Sequence, residues 1–226
     1  MSVELYLGRA RLKKDASTAA LAKLLLPSGN DARAAAAHSL VWTLFSDSSD
    51  RTRDFLWRED APGVFMTLSA RRPADPHDLF DLESKSFEPA LSVGDRLGFR
   101  MRANPTITHS AGKGSRGKRS DVVMDALRGV PDRAAARPQV IVSAGRAWLA
   151  GVGARSGFIP DPDTLVDGYD QRRLERSGGA RLRFSILDFE GRLTVQDPVL
   201  FISRIVQGFG RAKSFGCGLM LIRRAG

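Results

Sequence analysis

Val206-Gln207-Gly208-Phe209-Gly210-Arg211-Ala212-Lys213-Ser214-Phe215-Gly216-Cys217-Gly218-Leu219-Met220-Leu221-Ile222-Arg223-Arg224 is the stretch on which the reading of this chain turns. An apolar run, Leu219 to Ile222, follows directly on four glycines, which predicts a loop feeding a buried strand. Gly208, Gly210, Gly216 and Gly218 permit φ > 0 and the close approach of another chain. Arg211 and Lys213 lie among them, and no acidic residue occurs from 206 to 226. Backbone N–H groups of such a turn form a nest for phosphate oxygens, so these six residues are candidates for contact with an anion. The spacing excludes a Walker A loop, because no Gly-Lys-Ser/Thr follows four residues after a glycine. It also excludes the dinucleotide fingerprint, which follows a strand and opens a helix; this loop does the reverse. On the glycines alone a tight helix-to-strand connection is the simpler explanation. The two cations bring phosphate contact level with it.

Upstream of the loop, Asp197-Pro198 opens a helix, proline being favoured at the first helical position. Residues 180 to 195 alternate and form a strand pair or one long strand, and Thr164 to Arg176 is extended. Asp121 to Arg128 and Ala134 to Leu149 are helical, the latter interrupted at Pro138. At the other end, Val3 to Leu12 alternates as a strand. A helix from Asp15 to Leu26 is broken at Pro27, and Asp31 caps a second helix running to about Phe45. At 100° per residue Ala34, Ala37, Val41 and Phe45 share a face of that helix, with His38 at its edge. Arg53 to Arg58 and Gly63 to Ser69 read as strands. Asp75 to Phe80 is a short helix or loop, 81–88 looks extended, and Arg96 to Pro105 is a further strand. The order β, α, β, β, short α, β is the ferredoxin-like pattern. The expectation is an α+β chain of two tandem ferredoxin-like (βαββαβ) domains. They occupy residues 1–105 and 120–226, joined by a flexible basic stretch, 106–119.

The formal net charge of +10, from 35 Lys+Arg against 25 Asp+Glu, makes a polyanion the first partner to consider. The surplus is mostly arginine, whose planar fork pairs bidentately with phosphate. Lys113, Arg116, Lys118 and Arg119 cluster in 106–119 without an acid. Arg100 and Arg102 share a strand face by period two. A solvated basic face is the plainer reading of these six; their clustering makes phosphate contact at least its equal. One cysteine, Cys217, rules out an internal disulfide and a cysteine metal site. The three histidines lack ligand spacing, so no metal and no cofactor are expected. No apolar run reaches the ~18 residues of a membrane span, and the expected location is the cytoplasm.

Split ferredoxin-like sheets are common RNA platforms. Cutting RNA without a metal requires a proton-transfer group near a ribose 2′-OH, and histidine titrates closest to neutrality. His38 alone of the three sits on a regular element that would hold it rigidly; His77 and His109 fall in loop-like stretches. Helix periodicity by itself favours an ordinary, partly packed histidine. Trp42, Trp57 and Trp148 read as core.

Four segments occur in register: His38-Ser-Leu-Val-Trp42-Thr-Leu-Phe45, Arg53-Asp54-Phe55-Leu56-Trp57, Phe99-Arg100-Met-Arg102-Ala103-Asn104-Pro105 and Gly208-Phe-Gly210-Arg-Ala-Lys213-Ser-Phe-Gly216-Cys-Gly218-Leu219. Together they resemble the CasE-type CRISPR repeat endoribonucleases, RAMP proteins of the type I-E Cascade complex. The resemblance implies metal-independent cleavage of precursor CRISPR RNA at the base of the repeat stem-loop. The 2′-OH attacks the adjacent phosphate, leaving a 2′,3′-cyclic phosphate and a 5′-hydroxyl. It implies too that the product stays bound and that the other Cascade subunits are partners. His38 falls on the family's catalytic position, as proton donor to the leaving 5′-oxygen or as base at the 2′-OH. Some members carry a tyrosine one turn earlier; here that residue is Ala35. Stabilisation of the phosphorane then falls to Lys213, Arg211, Arg100 or Arg102. A non-catalytic RNA-binding subunit is the alternative, and a DNA-binding regulator is weaker because no helix-turn-helix is evident.

Overall fold

The computed structural model describes residues 4–15, 18, 20–47, 52–110, 117–175 and 181–225. Its first sheet contains β1 (Tyr6–Leu12), β2 (Phe55–Ala61), β3 (Val64–Ser69) and β4 (Phe80–Ser86), all antiparallel, in the order β2-β3-β1-β4. This is the split order of a ferredoxin-like unit. Among the described residues between β1 and β2 lie two helices, α1 (Ala22–Leu25) and α2 (Asn30–Thr43). Ala37, Leu40 and Val41 of α2, with Phe45 just beyond it, pack on Phe55, Trp57, Phe65 and Phe80, the face predicted from the helical period. Burying each such aromatic or aliphatic side chain contributes about 1.5–3 kcal/mol. The expected Asp31 cap is not formed. Gly29, at φ 113°, occupies the cap position without a side-chain bond, and Asp31 accepts from the Arg173 N–H at 3.4 Å. The second helix of the motif is missing too. Residues 75–80 form a turn in which the Asp75 carboxylate accepts from the N–H groups of Leu79 and Phe80.

The second sheet holds β5 (Arg96–Ala103), β8 (Phe158–Pro160), β9 (Leu165–Glu175), β10 (Arg181–Val195) and β11 (Met220–Arg224), in the order β11-β5-β10-β8, with β9 also on β10. Two helices pack on its apolar face, α4 (Arg133–Ala154) and α5 (Pro198–Gln207), while α3 (Val122–Ala126) precedes them. Strand β5 thus pairs within this sheet and not with the strands of the first. Arg100 pairs with Glu190 on one side and Leu221 on the other. The reason is burial: Leu97, Phe99, Met101 and Ala103 are all buried and need the cover of α4 and α5, whereas β4 buries only Phe80 and serves as an edge. Alternation identifies a strand but not its neighbours.

The described parts of the basic stretch, 106–110 and 117–119, are more ordered than a flexible joint. β6 (Thr106–His109) and β7 (Lys118–Asp121) pair as a hairpin. It is tied down where His109 meets Asp125 at 2.9 Å and where the Asp121 carboxylate caps α3. Lys113 and Arg116 lie outside the described residues. Helix α4 runs through Pro138 without a break. The carbonyl left without its donor is that of Ala134, on the exposed side of the helix. Helix α5 starts as predicted, with Asp197 accepting from the Leu200 N–H at 3.0 Å and Pro198 in the first turn. Among the described residues no helix is long and apolar enough to cross a membrane. The first unit keeps its own cluster beneath α2, while Leu56 and Leu68, on the back of its sheet, join Phe209 and Leu219 in the core of the second.

Candidate active site

His38 sits in the second half of α2, where the helix meets the glycine-rich tail. Its Nδ1 lies 2.7 Å from the backbone oxygen of Ser214. A carbonyl can only accept, so Nδ1 carries the proton and Nε2 is left with the lone pair in the neutral ring. The imidazole is flanked by Trp42, edge-on at 6.2 Å, and by Phe215 at 5.8 Å, which in turn stacks on Phe184 at 5.3 Å. Burial of about half the ring pushes its pKa below 6.5. The Ser214 carbonyl opposes this by holding the ring proton, and the charge of Arg53 adds to the lowering.

The Ser214 carbonyl is held there by the tail. A single 3-10 turn, Lys213–Phe215, is preceded by Ala212 at φ 54° and followed by Gly216 at φ 74°. The glycines are occupied with protein. A Cβ on Gly208 would strike Leu56, on Gly210 Asn104, on Gly216 Trp57 and on Gly218 Phe209. The Gly208 N–H bonds the Arg204 carbonyl and the Gly218 N–H bonds that of Arg102, so the expected phosphate nest is not formed at those two positions. The tail acts instead as a bracket between the sheets, and Ser214 is its tip.

The predicted cations fall into separate groups. Lys213, next to Ser214, donates to the Gln207 carbonyl at 2.5 Å; burial lowers its pKa, and Arg53 and Arg204 lower it further. Arg53 therefore lies within electrostatic reach of both His38 and Lys213. Its Nη1 is buried without a hydrogen-bond partner, and burial depresses its own pKa. Nothing in the sequence around Arg53 assigns it a role. Its only sequence signal is its place in the second matched segment. Arg100 and Arg102 are engaged elsewhere. Arg102 forms a two-point ion pair with Asp188 at 2.9 and 2.7 Å, which raises its pKa, and Arg100 lies 3.3 Å from Glu190 and 3.4 Å from Asp60. Replacing Arg102 with alanine leaves Asp188 unpaired at a half-buried position. The expected result is a loss of about 1–3 kcal/mol of stability, read by denaturant unfolding, with no change in the salt dependence of nucleic-acid binding. Arg119 and Arg211 line a common recess some distance along the same surface, and Lys118 is exposed on the hairpin opposite His109. Cys217 is fully buried, and burial pushes its thiol up to about 12, which leaves it inert.

The arrangement offers one basic nitrogen at Nε2, an ammonium and a guanidinium beside it, and a rigid carbonyl that fixes the tautomer. These are the components of acid–base chemistry on a phosphodiester.

The chain is also similar to known proteins. The CasE subunit of the Cascade CRISPR system of Escherichia coli (strain K12) is 32% identical over 190 residues, covering 81% of this chain and 88% of that protein. The CRISPR-associated endoribonuclease Cse3 of Thermus thermophilus is 32% identical over 141 residues, covering 61% of this chain and 60% of that one. Among solved structures, a CRISPR endoribonuclease Cse3 bound to a 19-nucleotide RNA superposes with a TM-score of 0.69 at 25% identity, over 97% of this chain and 99% of its own. The CRISPR-associated protein Cas6e of Escherichia coli K-12 shares the fold at a TM-score of 0.60 and 24% identity, over 97% and 100%. A family model described as CRISPR associated protein matches residues 5–224, and the chain belongs to that family, as a CasE-type member.

Proposed function

We propose that this protein is the endoribonuclease that cuts precursor CRISPR RNA at the base of the repeat stem-loop, without a metal ion, and that it keeps the product within a Cascade complex. The observation that carries the reading is the 2.7 Å contact between His38 Nδ1 and the Ser214 carbonyl. It leaves Nε2 as the reactive nitrogen, on a ring that burial keeps neutral near pH 7. Nε2 takes the proton of the ribose 2′-OH. The 2′-oxygen attacks the adjacent phosphorus, the bond to the 5′-oxygen breaks, and that oxygen takes a proton from solvent. The products are a 2′,3′-cyclic phosphate and a 5′-hydroxyl. Arg53 and Lys213 are the cations beside His38 that stabilise the extra negative charge of the phosphorane. They take the part for which Ala35, exposed and without a functional group, offers nothing.

The test is a cleavage assay with the host's own repeat hairpin in EDTA. Cutting is expected to proceed, and a single 2′-deoxy substitution 5′ to the scissile phosphate is expected to stop it while binding is retained. Cleavage that persists on the deoxy substrate, or that requires an added metal, removes the internal-attack mechanism.

A further inference from the structure

Most arginines whose pairing is visible here face a carboxylate: Arg9, Arg33, Arg58, Arg71, Arg96, Arg100, Arg102 and Arg172 all do. Three that share a recess do not. Arg119 on β7, Arg183 on β10 and Arg211 at the start of the glycine-rich tail line a hollow of about 230 Å³ together with Asn104, Ser120, Asp121 and Phe184. Among the described residues none of the three has a carboxylate within ion-pair distance, and all are exposed. The one acid in the lining, Asp121, is held by the Met124 N–H and the Tyr169 hydroxyl rather than by an arginine, and like charge that converges in excess of it carries a cost that an anionic ligand removes.

The floor of the hollow is rigid. Asn104, 5% exposed, donates to the Ser185 carbonyl at 2.7 Å and forms an isolated bridge with Arg211. The Ser185 hydroxyl, on a residue 3% exposed, and the Asp121 Oδ2 are both buried there without a hydrogen-bond partner. Three exposed guanidinium groups around a hollow of this size match the phosphate of a ribose-phosphate unit. The position is informative as well. Phe184 on the rim stacks on Phe215, which touches the His38 ring, with centroid separations of 5.3 and 5.8 Å. Two ring contacts therefore connect the recess to the reactive imidazole.

We propose that this recess is a second RNA subsite, which grips a ribose-phosphate unit of the strand a nucleotide or two from the scissile bond. Arg183 and Arg211 are its principal anchors. The proposal rests on the endoribonuclease reading for its ligand. It differs from that reading in predicting an effect on binding alone, since none of the three arginines touches His38.

The experiment uses the full chain and its repeat hairpin in EDTA, with Arg183→Ala, Arg211→Ala, the double variant and Arg183→Lys. Each alanine is expected to weaken binding about tenfold and to reduce the slope of log affinity against log salt by about one. Arg183→Lys should retain the slope, and cleavage of the hairpin by saturated Arg183→Ala should be unchanged. Single methylphosphonate linkages, which are neutral, are then scanned through the nucleotides flanking the cut. One of them should weaken wild-type binding yet have no effect in the double variant. Unchanged affinity and slope in the double variant overturn the subsite. So does a scan in which every linkage costs wild type and variant equally. Thermal melts identify any variant that has lost its fold, in which case the lysine variant and the wild-type scan decide. Cutting that survives removal of His38 defeats the catalytic reading instead, and leaves the subsite result as measured.

Discussion

Replacing His38 with alanine is expected to slow cleavage of a saturated repeat hairpin by at least about 100-fold, the lower range for loss of a general acid–base group, while affinity for the hairpin is unchanged. The separation follows from geometry. The imidazole is half-buried between Trp42 and Phe215 and is held by Ser214, so it presents one nitrogen rather than a binding surface. The pH dependence carries a sign. Burial is the largest cause of the lowered pKa, with Arg53 adding to it. A base that must be neutral gives a rate that rises with pH through an apparent value below 6.5 and is level at neutrality, measured as kcat/KM of the free enzyme. A falling limb at the same value would assign His38 to the leaving group instead. The same shift affects stability. Because the folded-state value lies below 6.5, the unfolded chain binds the proton more readily between the two. Stability is therefore undiminished by His38 above pH 6.5 and declines as pH falls from there toward the folded-state value. In the alanine variant that part of the acid-side decline should disappear.

Much of this was legible in the residues. The period of α2 gave the face carried by Ala37, Val41 and Phe45, and it set His38 at the edge of the buried stripe, where a side chain is both anchored and reachable. Asp197-Pro198 marked the start of α5 because both the cap and the fixed φ act locally. What depended on partners distant in sequence was not legible. Strand β5 looked like the natural end of the first unit, and only its pairing with β10, some ninety residues on, places it in the second sheet. Arg102 looked like a phosphate ligand until the same pairing set Asp188 against it. Arg183 was passed over because it sits inside a long alternating strand, and Arg53 because nothing local distinguishes a guanidinium that will be buried from one that will be solvated. The glycines misled in a more specific way. Their spacing announced a close approach, which is present, but what approaches is the protein itself.

Gly218→Ala tests that last point, and its expected effect is comparable to the loss of His38. The residue has φ +94°, and a Cβ there would stand 2.6 Å from the Phe209 carbonyl oxygen and 3.2 Å from its nitrogen. Both are backbone atoms that cannot swing aside. The nitrogen also belongs to the pair of bonds that closes the tail, since the Phe209 N–H donates to the Gly218 carbonyl at 2.9 Å and the Gly218 N–H to that of Arg102 at 2.7 Å. Backbone strain alone costs about 1–2 kcal/mol, and the clash adds to it. At about 2–4 °C per kcal/mol for a chain of this size, the melting temperature should fall by several degrees. Gly94→Ala provides the control: φ is +88°, but nothing lies within 4 Å of its Cβ, so it isolates strain from collision and should cost the smaller amount. If the tail is a bracket, relieving the collision at Gly218 moves the 3-10 turn and takes the Ser214 carbonyl away from Nδ1. Cleavage at a temperature where the variant is fully folded should then fall far more than hairpin affinity does, and the apparent pKa of the rate should shift, because the ring has lost the partner that held its proton. A variant that melts early yet cuts the saturated hairpin at the wild-type rate would show that His38 needs no support from the tail, and the glycines would then be turn-formers only.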